Sequence, residues 1–439
     1  MRRRGVAWVG VVAVALLSLA ACGASRPSTR PGQGGVVGTT AVSPWQPMAT
    51  SPLSPRDRPL AITVAGRVLF FGGRDTDPCP PNASCVAPTR PALRDVAAYD
   101  PATDRWTSLS PAPQPMGGSD NRTAAAVVGG TVYFLSSRQL DSPSSGLPTV
   151  SHSFFAYDVL ADRWSMLRAP ADSKNYFGGL AALGERVAAY VGSHESYGAS
   201  SSPAQSPLPP DMLFNPTSAT WSDLPADPLR PSFDRQFHST GTSLVLLGSR
   251  LVAQPGNQPP STQAAILEPA PAGGFAWREL PVGDNLGVYG FHVAGYIFVN
   301  IGEDSANGGE VNNWGRRVYE ASEFDVPTAK WSQLPRRPKS KLGHRTVDTT
   351  VGGVRYAALG NWLYDVLGRS WTRLPRPPDA AAEVTPFGYE ARTPAWVDGP
   401  RGGTLVIWGG VTWQGKSAQD GVARLRNDGW RVDVIAPSR

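Results

Sequence analysis

Apolar residues in this chain come in short unbroken runs rather than in helical or strictly alternating patterns. Val68-Leu69-Phe70-Phe71 and Leu405-Val406-Ile407-Trp408 are apolar throughout, as expected of strands in a sheet covered on both faces. Gly turns interrupt the runs every few residues. The first set reads as a strand over Leu60–Val64, a turn at Ala65-Gly66 and a second strand over 67–73. A polar loop to Arg94 follows, then a third strand over Val96–Asp100 and a fourth over 106–109.

The last two strands of this set carry a phrase that returns along the chain. Tyr99-Asp100 precedes Trp106, Tyr157-Asp158 precedes Trp164, and Phe214-Asn215 precedes Trp221. Phe324-Asp325 precedes Trp331, and Tyr364-Asp365 precedes Trp371. In each case the Asp or Asn stands six residues before the Trp. A stretched version runs from Glu268 to Trp277, with Gly273-Gly274 inserted. Three residues after each Trp comes a leucine: Leu109, Leu167, Leu224, Leu280, Leu334 and Leu374. Pro225, Pro281, Pro335 and Pro375 follow four of them.

A repeat of roughly 40–60 residues marks an array or a propeller. Four antiparallel strands make one blade, so the chain is read as all-β, a seven-bladed propeller. The second to fifth units turn at Gly129-Gly130, Gly184, Gly241 and Gly295 and end at Trp164, Trp221, Trp277 and Trp331. The sixth has Gly352-Gly353 and almost no loop before Trp362-Leu363-Tyr364. The seventh holds Thr404 to Gly410 and is expected to close at Trp430. Trp45-Gln46-Pro47-Met48 looks like an eighth Trp strand without partners of its own, suited to adding to the last blade and hiding a terminal edge. In Trp-x-x-Leu the two side chains point to opposite faces of the strand, one for each neighbouring blade. The Asp of the corner can bond its own backbone in a tight turn.

These residues resemble the kelch repeat and the galactose-oxidase-like propellers. The resemblance rests on Phe71-Gly72-Gly73, Trp408-Gly409-Gly410, the Tyr-Asp phrases and the spaced Trp, and covers the chain from Trp45 onward. Galactose oxidase uses copper with two His, two Tyr and a Cys–Tyr crosslink. His238, His292 and His344 near the starts of inner strands are a mild echo, read here as ordinary inner-strand histidines. No cysteine is left for a crosslink, and no metal or cofactor is expected.

The chain opens with Arg2-Arg3-Arg4 and an apolar run from Val6 to Ala21, a charged n-region and a short h-region. The run is too short for a comfortable membrane span. Its end, Leu19-Ala20-Ala21-Cys22, resembles a bacterial lipobox. That resemblance implies cleavage before Cys22, lipid on its thiol, and a protein exported and anchored on the outer side of the cell membrane. Residues 1–21 are then a lipoprotein signal peptide. Residues 22–44, rich in Gly, Ser, Thr, Arg and Pro, are a flexible tether, and 45–439 are the propeller. The two remaining cysteines, Cys79 and Cys85, flank a five-residue segment. In an exported chain they suggest a disulfide closing one small loop.

Charge narrows the partners. The full chain carries +6; without the three Arg of the signal segment it carries +3. Near balance and the lack of a basic run argue against nucleic acid. No glycine-rich nucleotide loop, HExxH, EF-hand loop or nucleophile elbow occurs, so no catalytic residue is assigned. The chain is expected to be a monomer.

Strand order places the long loops on one face: 74–94, 136–150, 193–210, 249–263 and 302–317. The Gly turns and Tyr-Asp corners make the other face blunt. Long loops on a rigid scaffold are where binding usually sits. The sixth unit should leave a notch beside Asn361 and Trp362. Arg58, Arg122, Arg235, Arg345 and Arg392 stand at or before first strands and would ring the inner mouth on the loop side. They could form an anion or sugar-acid pocket or brace neighbouring blades, bracing being the favoured reading. Tyr197, Trp314 and Trp362 are the aromatic ligand-binding candidates. The chain thus reads as a binding module for a protein or carbohydrate on its loop face. The alternative is a carbohydrate-active enzyme, an oxidase or a sugar-acid epimerase.

Overall fold

The computed structural model describes residues 40–76, 90–117, 122–139, 150–170, 177–192, 210–229, 232–250, 262–281, 291–294, 297–300, 304–308, 312–318, 322–325, 328, 330–335, 347–378, 390–414 and 422–437. Residues 39–439 form one compact unit, and every regular element described in it is a β-strand.

Two short strands come first, β1 (Ala41–Val42) and β2 (Gln46–Pro47). Six four-stranded antiparallel blades follow. The first is β3 (Leu60–Val64), β4 (Arg67–Phe71), β5 (Val96–Asp100) and β6 (Arg105–Leu109); the second is β7 (Arg122–Val128), β8 (Thr131–Gln139), β9 (Val150–Asp158) and β10 (Arg163–Leu167). The third is β11 (Phe177–Leu183), β12 (Arg186–Val191), β13 (Met212–Asn215) and β14 (Thr220–Asp223). The fourth is β15 (Ser232–Ser239), β16 (Leu244–Arg250), β17 (Thr262–Pro269) and β18 (Phe275–Leu280). The fifth is β19 (Phe291–Ala294), β20 (Ile297–Asn300), β23 (Ser322–Asp325) and β24 (Lys330–Gln333). Its expected loop instead contains a hairpin, β21 (Asp304–Gly308) and β22 (Asn312–Val318). The sixth is β25 (Val347–Gly352), β26 (Tyr356–Gly360), β27 (Trp362–Asp365) and β28 (Ser370–Arg373). The last strands are β29 (Glu390–Gly399), β30 (Gly402–Gln414), β31 (Val422–Leu425) and β32 (Gly429–Ile435).

The fold is a β-propeller of six four-stranded blades, not the seven expected. The seventh unit does not make a four-stranded blade of its own. Trp430, read as its Trp strand, lies in β32 and pairs with Ile407 of β30, in the third-strand position. The outer edge of β32 is covered by the beginning of the chain: Ala41 and Val42 pair with Ile435 and Val434, and Gln46 and Pro47 with Arg431 and Trp430. A six-stranded sheet from both chain ends results. It begins at Ala41, inside the stretch that composition assigns to the tether. Cys22, Cys79 and Cys85 lie outside the described residues, among which no disulfide occurs.

The repeated phrase has a single geometric cause. The aromatic of each Tyr-Asp pair lies directly across the ladder from the Trp, as Tyr99 does from Trp106 and Phe214 from Trp221. Their rings sit 4.6–5.1 Å apart in five blades. The acid then caps the turn: Asp100 accepts from the Ala102 N–H, Asp158 from Leu160 and Ala161, and Asp365 from Leu367 and Gly368. Two residues before the Trp the backbone turns left-handed, at Asp104 (φ 53°), Asp162 (47°), Ala219 (53°) and Arg369 (47°). Asp tolerates that region better than most residues. Asp104 and Asp162 also accept from the Tyr99 and Tyr157 hydroxyls and from the Ala49 and Ser110 N–H groups.

Trp and Leu do part to opposite sides. Trp164 packs in a core shared by the first two blades, Leu167 in the core between the second and third. Trp221 and Leu224, Trp277 and Leu280, Trp331 and Leu334, and Trp371 and Leu374 continue the series. Trp45 and Met48 occupy the same pair of places on either side of the closing sheet.

Each indole also donates one hydrogen bond to the preceding sheet, to the carbonyl four residues past that sheet's own Trp. Trp106 donates to Ala49, Trp164 to Ser110, Trp221 to Arg168, Trp277 to Pro225, Trp331 to Pro281 and Trp371 to Pro335. Trp45 completes the circle by donating to Pro375. The repeated Pro is thus an acceptor whose missing N–H costs nothing.

Trp45→Phe should lose the closing hydrogen bond at a cost of about 0.5–1.5 kcal/mol. Trp45→Ala, which also empties a core, should cost about 3–5 kcal/mol, as much as Trp164→Ala. Urea unfolding of the three variants checks this. A mild Trp45→Ala would mean that the ring closes without the first strands.

Candidate functional site

The connections differ sharply between the two faces. On one, the first and second strands join through tight turns at Ala65-Gly66, Gly129-Gly130 and Gly184-Glu185, with positive φ at Ala65, Gly66, Gly129 and Gly184. On the other, chain passes from Phe71 to Val96, from Gln139 to Val150, from Val191 to Met212 and from Arg250 to Thr262. In the sixth blade one residue, Asn361, joins β26 to β27. First strands of neighbouring sheets lie side by side, β7 next to β11, β11 next to β15 and β29 next to β3. Their loop-side ends form the rim on which the candidate arginines stand.

Arg56, which the sequence did not single out, is the most committed of them. It is fully buried and holds Asp95 through two 2.6 Å bonds from its Nη atoms. Its other N–H groups donate to the Gly72 carbonyl, the Ser54 carbonyl and the Ser54 hydroxyl. The Phe-Gly-Gly doublet makes room for this crossing: a Cβ on Gly72 would lie 2.1 Å from the Met116 carbonyl oxygen. The clue was available in Arg56-Asp57-Arg58, but strand phase alone does not say which of two arginines turns inward.

Arg235 on β15 repeats the arrangement between the third and fourth blades. Its Nη atoms donate to both Asp211 oxygens at 3.1 and 2.8 Å, to Asp227 at 2.8 Å and to the Val191 carbonyl at 2.6 Å. Burial raises the Asp227 carboxyl, an effect the Arg235 charge only partly offsets. Arg392 on β29 is buried and donates to the Asp428 carbonyl at 2.8 Å, with the carboxylate 3.5 Å away. Burial would raise Asp428, but Arg426 and Arg392 hold it below the ordinary carboxylate value. Arg235 and Arg392 therefore act as braces here.

Arg58 is different. Its backbone is left-handed (φ 48°), its side chain is 59% exposed, and its Nε lies 3.3 Å from the Asp57 carboxylate. Asp57 is buried and joined to Arg74 by a two-way backbone bridge. Burial pushes its carboxyl above the ordinary value, with the Arg58 guanidinium pulling the other way. Nearby, Arg90 is 62% exposed and 3.4 Å from Asp75. This corner of the first blade offers guanidinium N–H forks beside a buried carboxyl.

The remaining candidates are scattered. Arg122 opens β7 opposite Ser137, and Trp314 lies in β22. Trp362 is half-buried in β27, and its indole N–H is enclosed without a hydrogen-bond partner. Tyr197, Arg345 and His344 lie outside the described residues. His238 lies on β15 and His292 on β19, in neighbouring blades. His152, which the sequence reading passed over, is buried on β9 with Nδ1 2.9 Å from the Ser137 hydroxyl. Among the described residues no three His, Cys, Asp or Glu side chains are placed to hold a metal ion.

Two outcomes separate brace from rim. Arg235→Ala, which strands two buried carboxylates, should cost about 3–5 kcal/mol, and Lys cannot replace a two-pronged guanidinium. Arg58→Ala should change stability by less than about 0.5 kcal/mol. Thermal or urea unfolding reads both. Asp57 binds its proton more tightly folded than unfolded, so its contribution to stability is lost as pH rises from about 4 through the raised value. Asp57→Asn should therefore stabilise the protein more at pH 7 than at pH 4.

No protein-family model matches the chain. Over 96 residues it is 35% identical to N-acetylneuraminate epimerase of Yersinia enterocolitica, a stretch that covers 22% of this chain and 22% of that relative.

Proposed function

We infer that this propeller is an exported, lipid-anchored binding module that takes a protein or carbohydrate ligand on its loop face. The observation that carries this reading is the asymmetry of the connections. One face is held to tight turns, while the other receives the long strand-two to strand-three segments and the exposed Arg58 and Arg90. A ligand with a carboxylate or sulfate would meet guanidinium donors at that rim. Long segments around it supply variable contacts on a rigid ring.

A second reading is a sugar-acid epimerase. It is favoured by the 96-residue similarity to a protein of that name and by the raised Asp57 carboxyl beside Arg58. An epimerase needs a group that can give and take a proton at the sugar acid, and Asp57, whose carboxyl burial raises above its ordinary value, is the candidate.

The acylated protein displayed against a glycan array, including N-acetylneuraminate-terminated glycans, tests the binding reading. Arg58→Ala should weaken an acidic hit at least tenfold while the fold is kept. Loss of no affinity on Arg58→Ala would move the site away from the first blade. Epimer exchange of free N-acetylneuraminate, followed by proton NMR and abolished by Asp57→Asn, would favour the enzyme. For the anchor, Cys22→Ala should move the protein from the membrane to the soluble fraction; retention with lipid label would defeat the lipoprotein reading.

A further inference from the structure

The arginines of the rim are not equally committed. Arg56, Arg235 and Arg392 are buried, and each donates to a backbone carbonyl at 2.6–2.9 Å as well as facing a carboxylate. Arg58 meets the Asp57 carboxylate alone, through Nε at 3.3 Å. Among the described residues its two Nη groups make no other hydrogen bond or ion pair. The acid of this pair is the enclosed partner: the Asp57 side chain is 8% exposed, and its carboxylate also accepts from the Arg58 N–H. An exposed cation is thus tied, at one long contact, to a buried carboxylate.

The backbone holds this pair in place against its own preference. Arg58 is left-handed, a conformation that costs a residue with a side chain and that collects at functional sites. Three contacts enforce it. Asp57 and Arg74 exchange backbone hydrogen bonds of 2.8 and 2.9 Å. A Cβ on Gly73 would lie 2.8 Å from the Asp57 carbonyl oxygen, and one on Gly117 would lie 2.7 Å from that of Arg58. The charges packed around the pair have partners of their own. Arg56 holds Asp95, Arg74 donates to the Arg90 carbonyl, and Arg90 stands 3.4 Å from Asp75. From the closing sheet, Arg426 holds Asp428 at 2.9 and 2.6 Å. Arg58 is the cation that acts on Asp57.

We propose that Asp57 is a built-in competitor for Arg58: an acidic ligand reaches the guanidinium by displacing the Asp57 carboxylate, and its binding is coupled to uptake of a proton by Asp57. This rests on the reading of the loop rim as a binding face and names how that site is regulated. Once a ligand anion takes the guanidinium, the buried carboxylate loses the charge that favours its ionised form, and a buried carboxyl without a counter-charge favours its proton. Burial already raises Asp57 and Arg58 opposes it, so withdrawing Arg58 acts in the direction of burial. Linkage makes the coupling reciprocal: a proton on Asp57 tightens the anion as much as the anion tightens the proton. Affinity for an acidic ligand therefore rises as pH falls.

Equilibrium dialysis of the full-length protein against radiolabelled sulfate tests it, at constant ionic strength from about pH 4, the ordinary carboxylate value, to about pH 7. Sulfate keeps its charge over that range. The parent should bind more tightly toward the acid end. Asp57→Asn, which cannot compete, should bind roughly tenfold more tightly than the parent at about pH 7, with an affinity that does not change with pH. Arg58→Ala should lose binding at every pH. Equal affinities of parent and Asp57→Asn, or a pH dependence that survives in Asp57→Asn, would overturn the coupling while binding that needs Arg58 keeps the rim as the site. Sulfate binding untouched by Arg58→Ala, or none in the parent and Asp57→Asn, would overturn the coupling and the anion site together. Should Asp57→Asn not fold, the parent decides: tightening on acidification that Arg58→Ala abolishes supports the coupling, and a flat profile overturns it.

Discussion

Each sheet of the ring hands one indole N–H to the sheet before it, and the circle holds because the seventh such bond comes from the other end of the chain. Trp45 donates to Pro375 and its neighbour Ala49 accepts from Trp106. A linear array of blades would leave two exposed ladder edges. Here β1 and β2 cover the edge of β32, and the cores on either side are completed by Trp45 and Met48. Strands nearly four hundred residues apart thus depend on one another.

With closure secured at the outer rim by tryptophan, the loop-side inner rim is secured by charge. Arg56 with Asp95, Arg235 with Asp211 and Asp227, and Arg392 with Asp428 tie strand ends together where the chain crosses between strands. In all three the guanidinium is buried, and only around Arg235 are the carboxylates enclosed as well; a buried pair contributes little net stability but fixes geometry strictly, because the buried charge is costly without its partner. They keep the rim in place under long connections. What remains exposed, Arg58 beside Asp57, is chemically available because it is not used for bracing.

The two faces follow from this division of labour. Turns on the blunt face are closed locally, by Asp carboxylates bonded to the next backbone N–H groups and by left-handed residues at the corners. Nothing there requires a long loop. The loop side carries both the variable segments and the passage between sheets, so substitutions tolerated in the segments are not tolerated in the crossings beneath them.

Much of this was legible in the residues themselves. The six-residue spacing from Asp to Trp is a two-strand ladder with its turn, and Trp-x-x-Leu must face two ways because a strand alternates. Both are local consequences of strand geometry. So was the role of Trp45 as a strand seeking a partner. The blade count was not legible, because Trp430 carries the same residue as a fourth-strand Trp but pairs as a third strand. Which Arg braces and which is exposed was equally hidden: Arg56 and Arg58 differ by one full strand period, and the β-bridge of Asp57 to Arg74 with the left-handed turn at Arg58 decides between them. Sequence by itself determined the repeat, the turns and the direction of the side chains, all set within a few bonds. Only the tertiary structure decided the closure of the ring and the pairing of charges, because these join residues that meet only after the chain has come full circle.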